Sequence, residues 1–348
     1  SSFDGPPPHS RSRGNREERL IIENFVDGDL SRFNSIIVTP GLPLNRHPIA
    51  RGAREAGVEI IGDIELFARA RPELSPHKVV GITGTNGKST TTALVHHILK
   101  TAGVPSAMGG NIGLPILAQD PLTPNEKGVG VYVLELSSYQ IDLTKSLVCD
   151  VAVLLNITPD HLDRYDSFEA YARSKERLFL MQSADHFALV NWPAFMSGLI
   201  FDGDKELKVG FNGIILSPEF DQSEWPTLQG PHNAENAAAA IGVCRWLAVD
   251  VAVIKEALRT YPGLPHRMER IAEKDGVLFV NDSKATNPTA TAPALAAFPR
   301  IRWICGGQAK TDNLDECAPH FGHVRKAYTI GEAGEMFASL LSPHMAAA

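Results

Sequence analysis

Long apolar runs are missing from this sequence. No stretch approaches the roughly 20 residues that span a bilayer, and no signal-like apolar segment opens the chain. Membrane insertion is therefore not expected. Cysteine is scarce, with four residues (Cys149, Cys244, Cys305 and Cys317) that stand far apart and never form a CxxC pair. That spacing argues against a disulfide framework and reads as buried reduced thiols in a cytoplasmic protein. Basic blocks are absent beyond Arg11, Arg13, Arg16 and Arg19, and the formal net charge is −7. Nucleic acid is not expected as a partner, because gripping phosphate backbones takes a basic footprint. No internal repeat occurs either.

What remains is an ordinary globular balance, 43% hydrophobic and 21% charged, in 348 residues. One core rarely supports that length, so two or three domains are expected. Residues 1–20, rich in Ser, Pro, Arg and Gly, predict irregular chain. A strand at Ser35–Thr39, a helix at Pro48–Ala56 and a strand at Val58–Ile61 make a small βαβ unit. Near-continuous apolar strands at Lys78–Ile82, Val129–Leu136 and Val151–Asn156 are of the kind covered on both faces of a parallel sheet. Helices at about Lys88–Ala102, Phe168–Gln182 and His232–Leu247 alternate with them. After the break at Tyr261–Pro265, strands at Val277–Asn281, Ile301–Cys305 and Lys326–Ile330 predict a second doubly wound unit.

The strongest chemical signal is Gly84-Thr85-Asn86-Gly87-Lys88-Ser89-Thr90, which leaves a predicted strand and opens a helix. Glycines let main-chain N–H groups face a phosphate, and the helix start adds a favourable dipole. Lys88 would reach the β/γ-phosphates and Ser89 would face Mg²⁺. The strict P-loop pattern fails, since its first glycine position holds Ile82. An ordinary strand-to-helix turn is the plainer alternative. Glu135 closes the next strand, where a carboxylate faces the ligand crevice of a parallel sheet; alone it could equally be a surface residue. Asn233 and Asn236 share one helical face, with N-capping as the plain reading of Asn233.

The TGTNGKS loop resembles that of the Mur ligases and folylpolyglutamate synthases, and further segments extend the resemblance over roughly residues 35–335. They are Gly110-Asn111-Ile112-Gly113, Glu135–Gln140, Asn156–Tyr165 (NITPDHLDRY), Tyr171–Arg177, His232–Asn236, Leu264–Glu269, Asn281–Asn287 (NDSKATN) and Gly306–Lys310. NDSKATN discriminates most and is similar to the D-glutamate-adding branch of the Mur ligases. The resemblance implies a three-domain α/β architecture: a central P-loop ATPase-like parallel sheet with Rossmann-like flanking domains, the first and last incomplete against the family pattern. The implied divisions are 1–77 for a UDP-substrate domain, 78–264 for ATP and 265–348 for the amino acid.

It also implies site roles. ATP would meet Gly84, Thr85, Asn86, Gly87, Lys88, Ser89, Thr90, Asn233, Asn236, Arg267 and Asp282. Metal, as two Mg²⁺ ions, would meet Ser89, Glu135, His161 and Lys175, the last as a carbamate; the plain alternative has Lys175 pairing with carboxylates on an exposed helix face. Substrate would meet Asn111, Ser137, His161, Lys284, Thr286 and Lys310, with Lys284 and Lys310 at the ends of adjacent predicted strands. Lys88, His161 and Lys175 would be catalytic. The implied reaction phosphorylates the carboxylate of UDP-N-acetylmuramoyl-L-alanine, and the D-glutamate amine then displaces phosphate, with the enzyme acting as a cytoplasmic monomer. Another amino-acid-adding Mur or folylpolyglutamate-type ligase, or a catalytically silent ATP-binding homologue, is the alternative.

Overall fold

The computed structural model describes residues 28–160, 164–190, 208–210, 220–309 and 312–347. The chain divides by its contacts into a small unit, running to Ile36 and resuming at Pro43–Ile60, and a large one comprising Ile37–Leu42 and the chain from Ile61 onward. Strand β1 (Ser35–Ile37), helix α1 (Pro48–Ala56) and strand β2 (Glu59–Ile61) follow the expected order, and β1 and β2 form a two-stranded sheet. Helix α1 starts where Pro48, with no N–H to lose, occupies the first turn, and the His47 ring nitrogen accepts the Ile49 N–H at 3.2 Å. It stops at Gly57, whose φ of 68° suits a residue without Cβ.

The large unit is built on six parallel strands: β3 (His77–Thr83), β4 (Ser106–Gly110), β5 (Gly130–Glu135), β6 (Val151–Leu154), β7 (Phe187–Val190) and β8 (Lys208–Gly210). Their order is β4-β5-β3-β6-β7-β8, so β3 lies inside the sheet. Helices α2 (Asp63–Ala70), α3 (Lys88–Thr101), α4 (Ser138–Asp142), α5 (Phe168–Leu180), α6 (Pro231–Trp246) and α7 (Val251–Thr260) cover it. Leu94, Ile98, Ala240 and Leu258 from α3, α6 and α7 join one core with Val80 and Ile82; Ile64, Phe67, Leu178 and Phe179 from α2 and α5 join the other with Val79 and Leu134. Alternate residues of β3 thus face opposite cores, which explains its unbroken apolar run. Each fully buried aliphatic side chain contributes about 1.5–3 kcal/mol. Gly81 is small for a reason: a Cβ there would stand 2.7 Å from Cys149 Sγ.

Beyond Pro265 come β9 (Glu269–Lys274), β10 (Val277–Asn281), helix α8 (Pro288–Ala296), β11 (Ile301–Gly306), β12 (Val324–Ile330) and helix α9 (Gly334–Leu341). Strands β11 and β12 pair in parallel as a doubly wound unit requires. Strand β10 forms as expected, but among the described residues its partner is β9, antiparallel, in a separate two-stranded sheet. Asp275 (φ 52°) and Gly276 (φ 72°) join them with the positive angles of a type I′ hairpin turn. Strands β10 and β11 therefore do not pair with each other, and Lys310 lies outside the described residues. All four cysteines are free, three buried and Cys305 half-buried. No helix among the described residues is long and apolar enough to cross a membrane.

Candidate active site

Strand β3 ends at Thr83, and the loop to α3 turns on Gly84 (φ 152°) and Gly87 (φ 84°). A Cβ on Gly87 would stand 2.1 Å from Asn236 Oδ1, so only glycine lets α6 lie this close. No side chain caps α3 at Gly87, which leaves the first-turn amides directed toward the loop mouth. Asn156, just past β6, pins the loop from beneath: its Oδ1 accepts the Asn86 N–H at 2.8 Å, its Nδ2 donates to Asn86 O at 3.1 Å, and its carbonyl accepts the Thr85 N–H at 3.0 Å. Thr85 Oγ1 meets Tyr171 Oη at 3.1 Å and accepts the Thr158 N–H at 3.0 Å.

Two lysines close on one carbonyl. Lys88 Nζ donates to Gly84 O at 2.9 Å and Thr85 O at 2.7 Å, while Lys175 Nζ donates to the same Gly84 O at 3.0 Å. Lys175 is only 1% exposed, with its Nζ 4.8 Å from the centre of the Tyr171 ring. The exposed-face alternative for this residue therefore does not hold. Burial pushes its pKa well below the ordinary lysine value, and the Lys88 charge pushes it further. Lys88 is lowered too, by burial first and by Arg267, against the opposing pull of Glu135 and Asp160.

Glu135 ends β5 beside β3 and is 2% exposed, which excludes a surface role. Asn111 Nδ2 donates to its Oε1 at 3.0 Å, and the Asn111 N–H donates to its carbonyl at 2.8 Å. Gly110 (φ 89°) permits this crossing, because a Cβ would reach within 2.2 Å of Glu135 O. Glu135 Oε2 is buried with no hydrogen-bond partner among the described residues. Leaving a carboxylate oxygen so costs about 1–3 kcal/mol or more, and a hard cation is the natural complement. The described residues hold no group of three or more His, Cys, Asp and Glu side chains that could bind a metal alone.

Asn236 Nδ2 donates to Asn233 Oδ1 at 3.2 Å and Thr91 Oγ1 to Asn236 Oδ1 at 3.4 Å, both asparagines being buried. Gly230 holds the N-cap position of α6, so capping is not the role of Asn233, whose Nδ2 donates to Gln229 O at 3.1 Å. Arg267 Nη2 donates to Ser89 Oγ at 2.8 Å, and Asp282 Oδ1 accepts the adjoining Met268 N–H at 2.9 Å. Burial raises the Asp282 pKa against the pull of that N–H and of Arg267. Ser137 caps α4 in a reciprocal box with Gln140, while Lys284 and Thr286 are exposed. His161 and Lys310 lie outside the described residues.

A sequence profile of the Mur ligase middle domain matches residues 82–202, and one described as the Mur ligase glutamate ligase domain matches residues 266–347. The UDP-N-acetylmuramoylalanine–D-glutamate ligase of Novosphingobium aromaticivorans is 60% identical over 331 residues, 94% of this chain and 74% of that protein. That of Zymomonas mobilis subsp. mobilis is 56% identical over 327 residues, 93% of this chain and 73% of that protein. The chain belongs to the Mur ligase family. Solved Mur ligases share its fold. A UDP-N-acetylmuramate-alanine ligase from Thermotoga maritima superimposes with TM-score 0.60 at 21% identity over 90% of this chain and 76% of that one. A MurF ligase from Thermotoga maritima in complex with ADP gives TM-score 0.59 at 17% identity over 94% and 89%.

Mur ligases are ATP-dependent and form amide bonds. Sequence reasoning passed over Asn156 and Tyr171 as site residues, although each stands in a segment that carried the resemblance. Nothing in composition marks an asparagine that supports a loop from below; its position directly after a parallel strand was the available signal.

Proposed function

We propose that this chain joins D-glutamate to UDP-N-acetylmuramoyl-L-alanine, with ATP cleaved to ADP and phosphate, in the synthesis of peptidoglycan precursors. The observation that carries the reading is the 56–60% identity to ligases of that name over more than nine-tenths of the chain. The convergence of Lys88 and Lys175 on Gly84 O, with Ser89 and Glu135 alongside, agrees with it. In this reading residues 1–77 serve the UDP substrate, 78–264 ATP and 265–348 the amino acid, and the protein works as a monomer in the cytoplasm.

The reaction has two steps. A carboxylate oxygen of the substrate's L-alanine attacks the γ-phosphorus of ATP, giving an acyl phosphate and ADP. The D-glutamate amine then attacks the acyl carbon, and the tetrahedral intermediate expels phosphate. Lys88, Arg267 and the uncapped amides of α3 neutralise phosphate charge and hold the reacting groups in line. Asn236 and Asn233 position the nucleotide. Ser89 Oγ and Glu135 Oε2 suit Mg²⁺, which supplies charge neutralisation when bound. Burial and the neighbouring Lys88 charge lower the Lys175 pKa, which favours the neutral amine, and a neutral amine can add CO₂ and release a proton to give a carbamate with two further hard oxygens. His161 and Lys310 complete the reading as contacts to the reacting groups and to the D-glutamate side chain.

The test is amide formation from UDP-N-acetylmuramoyl-L-alanine with D-glutamate, L-glutamate, D-alanine, L-lysine and meso-diaminopimelate in turn. D-glutamate should be strongly preferred, with one ADP per amide. Equal rates with L-lysine or meso-diaminopimelate would overturn the substrate assignment. Tight ATP binding with no amide from any acceptor would indicate a catalytically silent homologue.

A further inference from the structure

Arg164 stands next to last in the Asn156–Tyr165 segment, yet the ligation chemistry gives it no task. Its surroundings suggest one. Nη1 donates to Gly41 O at 3.2 Å and Nη2 to Leu42 O at 2.9 Å, two successive carbonyls of the turn that follows β1. That turn is closed by the Leu42 N–H on Thr39 O at 3.0 Å. The guanidinium lies 4.2 Å from the centre of the Tyr139 ring, so fork and face are both in use. A lysine ammonium cannot reproduce this, because it lacks both the plane and the fixed pair of N–H groups.

Tyr139 begins a ladder. Its ring stacks on Tyr165 (centroids 6.0 Å, 23° between planes), and Tyr165 meets Tyr171 at 5.5 Å. The Tyr165 hydroxyl is fixed by donation to Asp142 Oδ2 at 2.7 Å. Tyr171 ends the ladder in the phosphate loop, with its hydroxyl 3.1 Å from Thr85 Oγ1 and its ring beneath Lys175. One guanidinium and three phenol rings thus join the Gly41–Leu42 turn to the residues around Gly84.

We propose that Arg164 is a positioning residue that couples the Gly41–Leu42 turn to the phosphate loop. It acts through the turn and the ring ladder rather than on a reactant. Nucleotide bound in the loop fixes Thr85 and Tyr171, the ladder transmits that order, and Arg164 holds the turn in place. Through the same connection, loss of Arg164 loosens Lys175 and Thr85. The kinetic half of the test rests on the proposed ligase activity; the exchange half does not.

Hydrogen–deuterium exchange of the segment around residues 37–47 should be followed in the full chain, with and without ADP and Mg²⁺, in wild type, Arg164→Lys and Arg164→Ala. Exchange at the turn should slow at least threefold on ADP addition in the wild type and show no such response in either variant, while ADP affinity stays within about twofold. In amide synthesis at saturating substrates, both variants should lose at least tenfold in kcat with the KM for ATP nearly unchanged. Combining Arg164→Ala with Tyr139→Ala should cost no more than the worse single change, as expected for residues in one connection. An absent ADP response in the wild type, or an equal one in Arg164→Lys, would overturn the coupling, as would losses that multiply in the double variant. Should Arg164→Ala fail to fold, Arg164→Lys and Tyr139→Ala decide. A wild type with ADP-linked protection but no amide product would remove the ligase reading and leave the coupling standing.

Discussion

Arg267 reaches across the Pro262–Pro265 break to Ser89, its Nη2 donating to the hydroxyl at 2.8 Å. A cation from the last third of the chain thus sits beside the second residue of α3, near enough to depress Lys88. Arg267→Ala should weaken ADP binding by about ten- to a hundredfold, the range for losing one charge-assisted hydrogen bond. Calorimetric titration of the folded variant checks this, and unchanged affinity would place Arg267 outside the nucleotide site.

Gly87 and Asn236 allow a test of packing. Gly87→Ala adds a Cβ 2.1 Å from Asn236 Oδ1 at a φ of 84°. The backbone strain alone costs about 1–2 kcal/mol, and the clash adds to it. In an Asn236→Ala background the strain and a milder 3.3 Å approach to Leu155 Cδ1 should remain, so the second Gly87→Ala penalty should be the smaller. Denaturant midpoints of the four proteins measure the difference; equal penalties in both backgrounds would mean that the two residues do not touch.

Lys175→Ala should lower kcat on the order of a hundredfold or more, and a short carboxylic acid in solution should restore part of it. The wild type given ¹³C-bicarbonate should show a carbamate carbon resonance that the variant lacks. Full activity in Lys175→Ala would exclude the carbamate role.

Acid should destabilise the fold through two histidines. Burial lowers His96 to about 4, helped by Lys100 and His97, and burial alone lowers His232 to about 4. The unfolded chain binds protons near the ordinary 6.5 while the folded chain stays neutral. Between these values the unfolded state holds more protons, so stability is full above 6.5 and falls as pH drops toward about 4. Urea midpoints at about pH 7.5 and pH 5 should show the loss, and His96→Gln should lessen it. A flat profile would contradict both shifts.

Much of the fold is legible in the residues themselves. Apolar runs mark β3, β5 and β6, and Pro48 and Gly57 bracket α1. Strand β4 is not legible, because Ser106-Ala107-Met108-Gly109-Gly110 carries no β-branched side chain and takes its conformation from β5. The β9–β10 hairpin was legible in principle: Asp275-Gly276 between two strand-like runs is a two-residue turn signal. Charged Glu269, Arg270, Glu273 and Lys274 conceal the first of those runs. At the site, Lys88 and Glu135 could be read from their places at a loop and a strand end. The shared Gly84 carbonyl and the Asn236 contact could not, because both join residues far apart in sequence.

The support that Asn156 and Asn236 give to the loop bears on when this protein can first hold nucleotide. Residues 84–90 leave the ribosome well before either asparagine has been made, and β3 gains its hydrogen-bonded neighbours only once β5 and β6 follow. The contacts from Asn156 and Asn236 close over long stretches of chain, which makes them late as well as slow. A nascent chain ending before Asn156 has the complete GTNGKS motif without the side chain that holds Asn86. Chains released short of Asn156 should accordingly bind ADP more weakly than the finished protein.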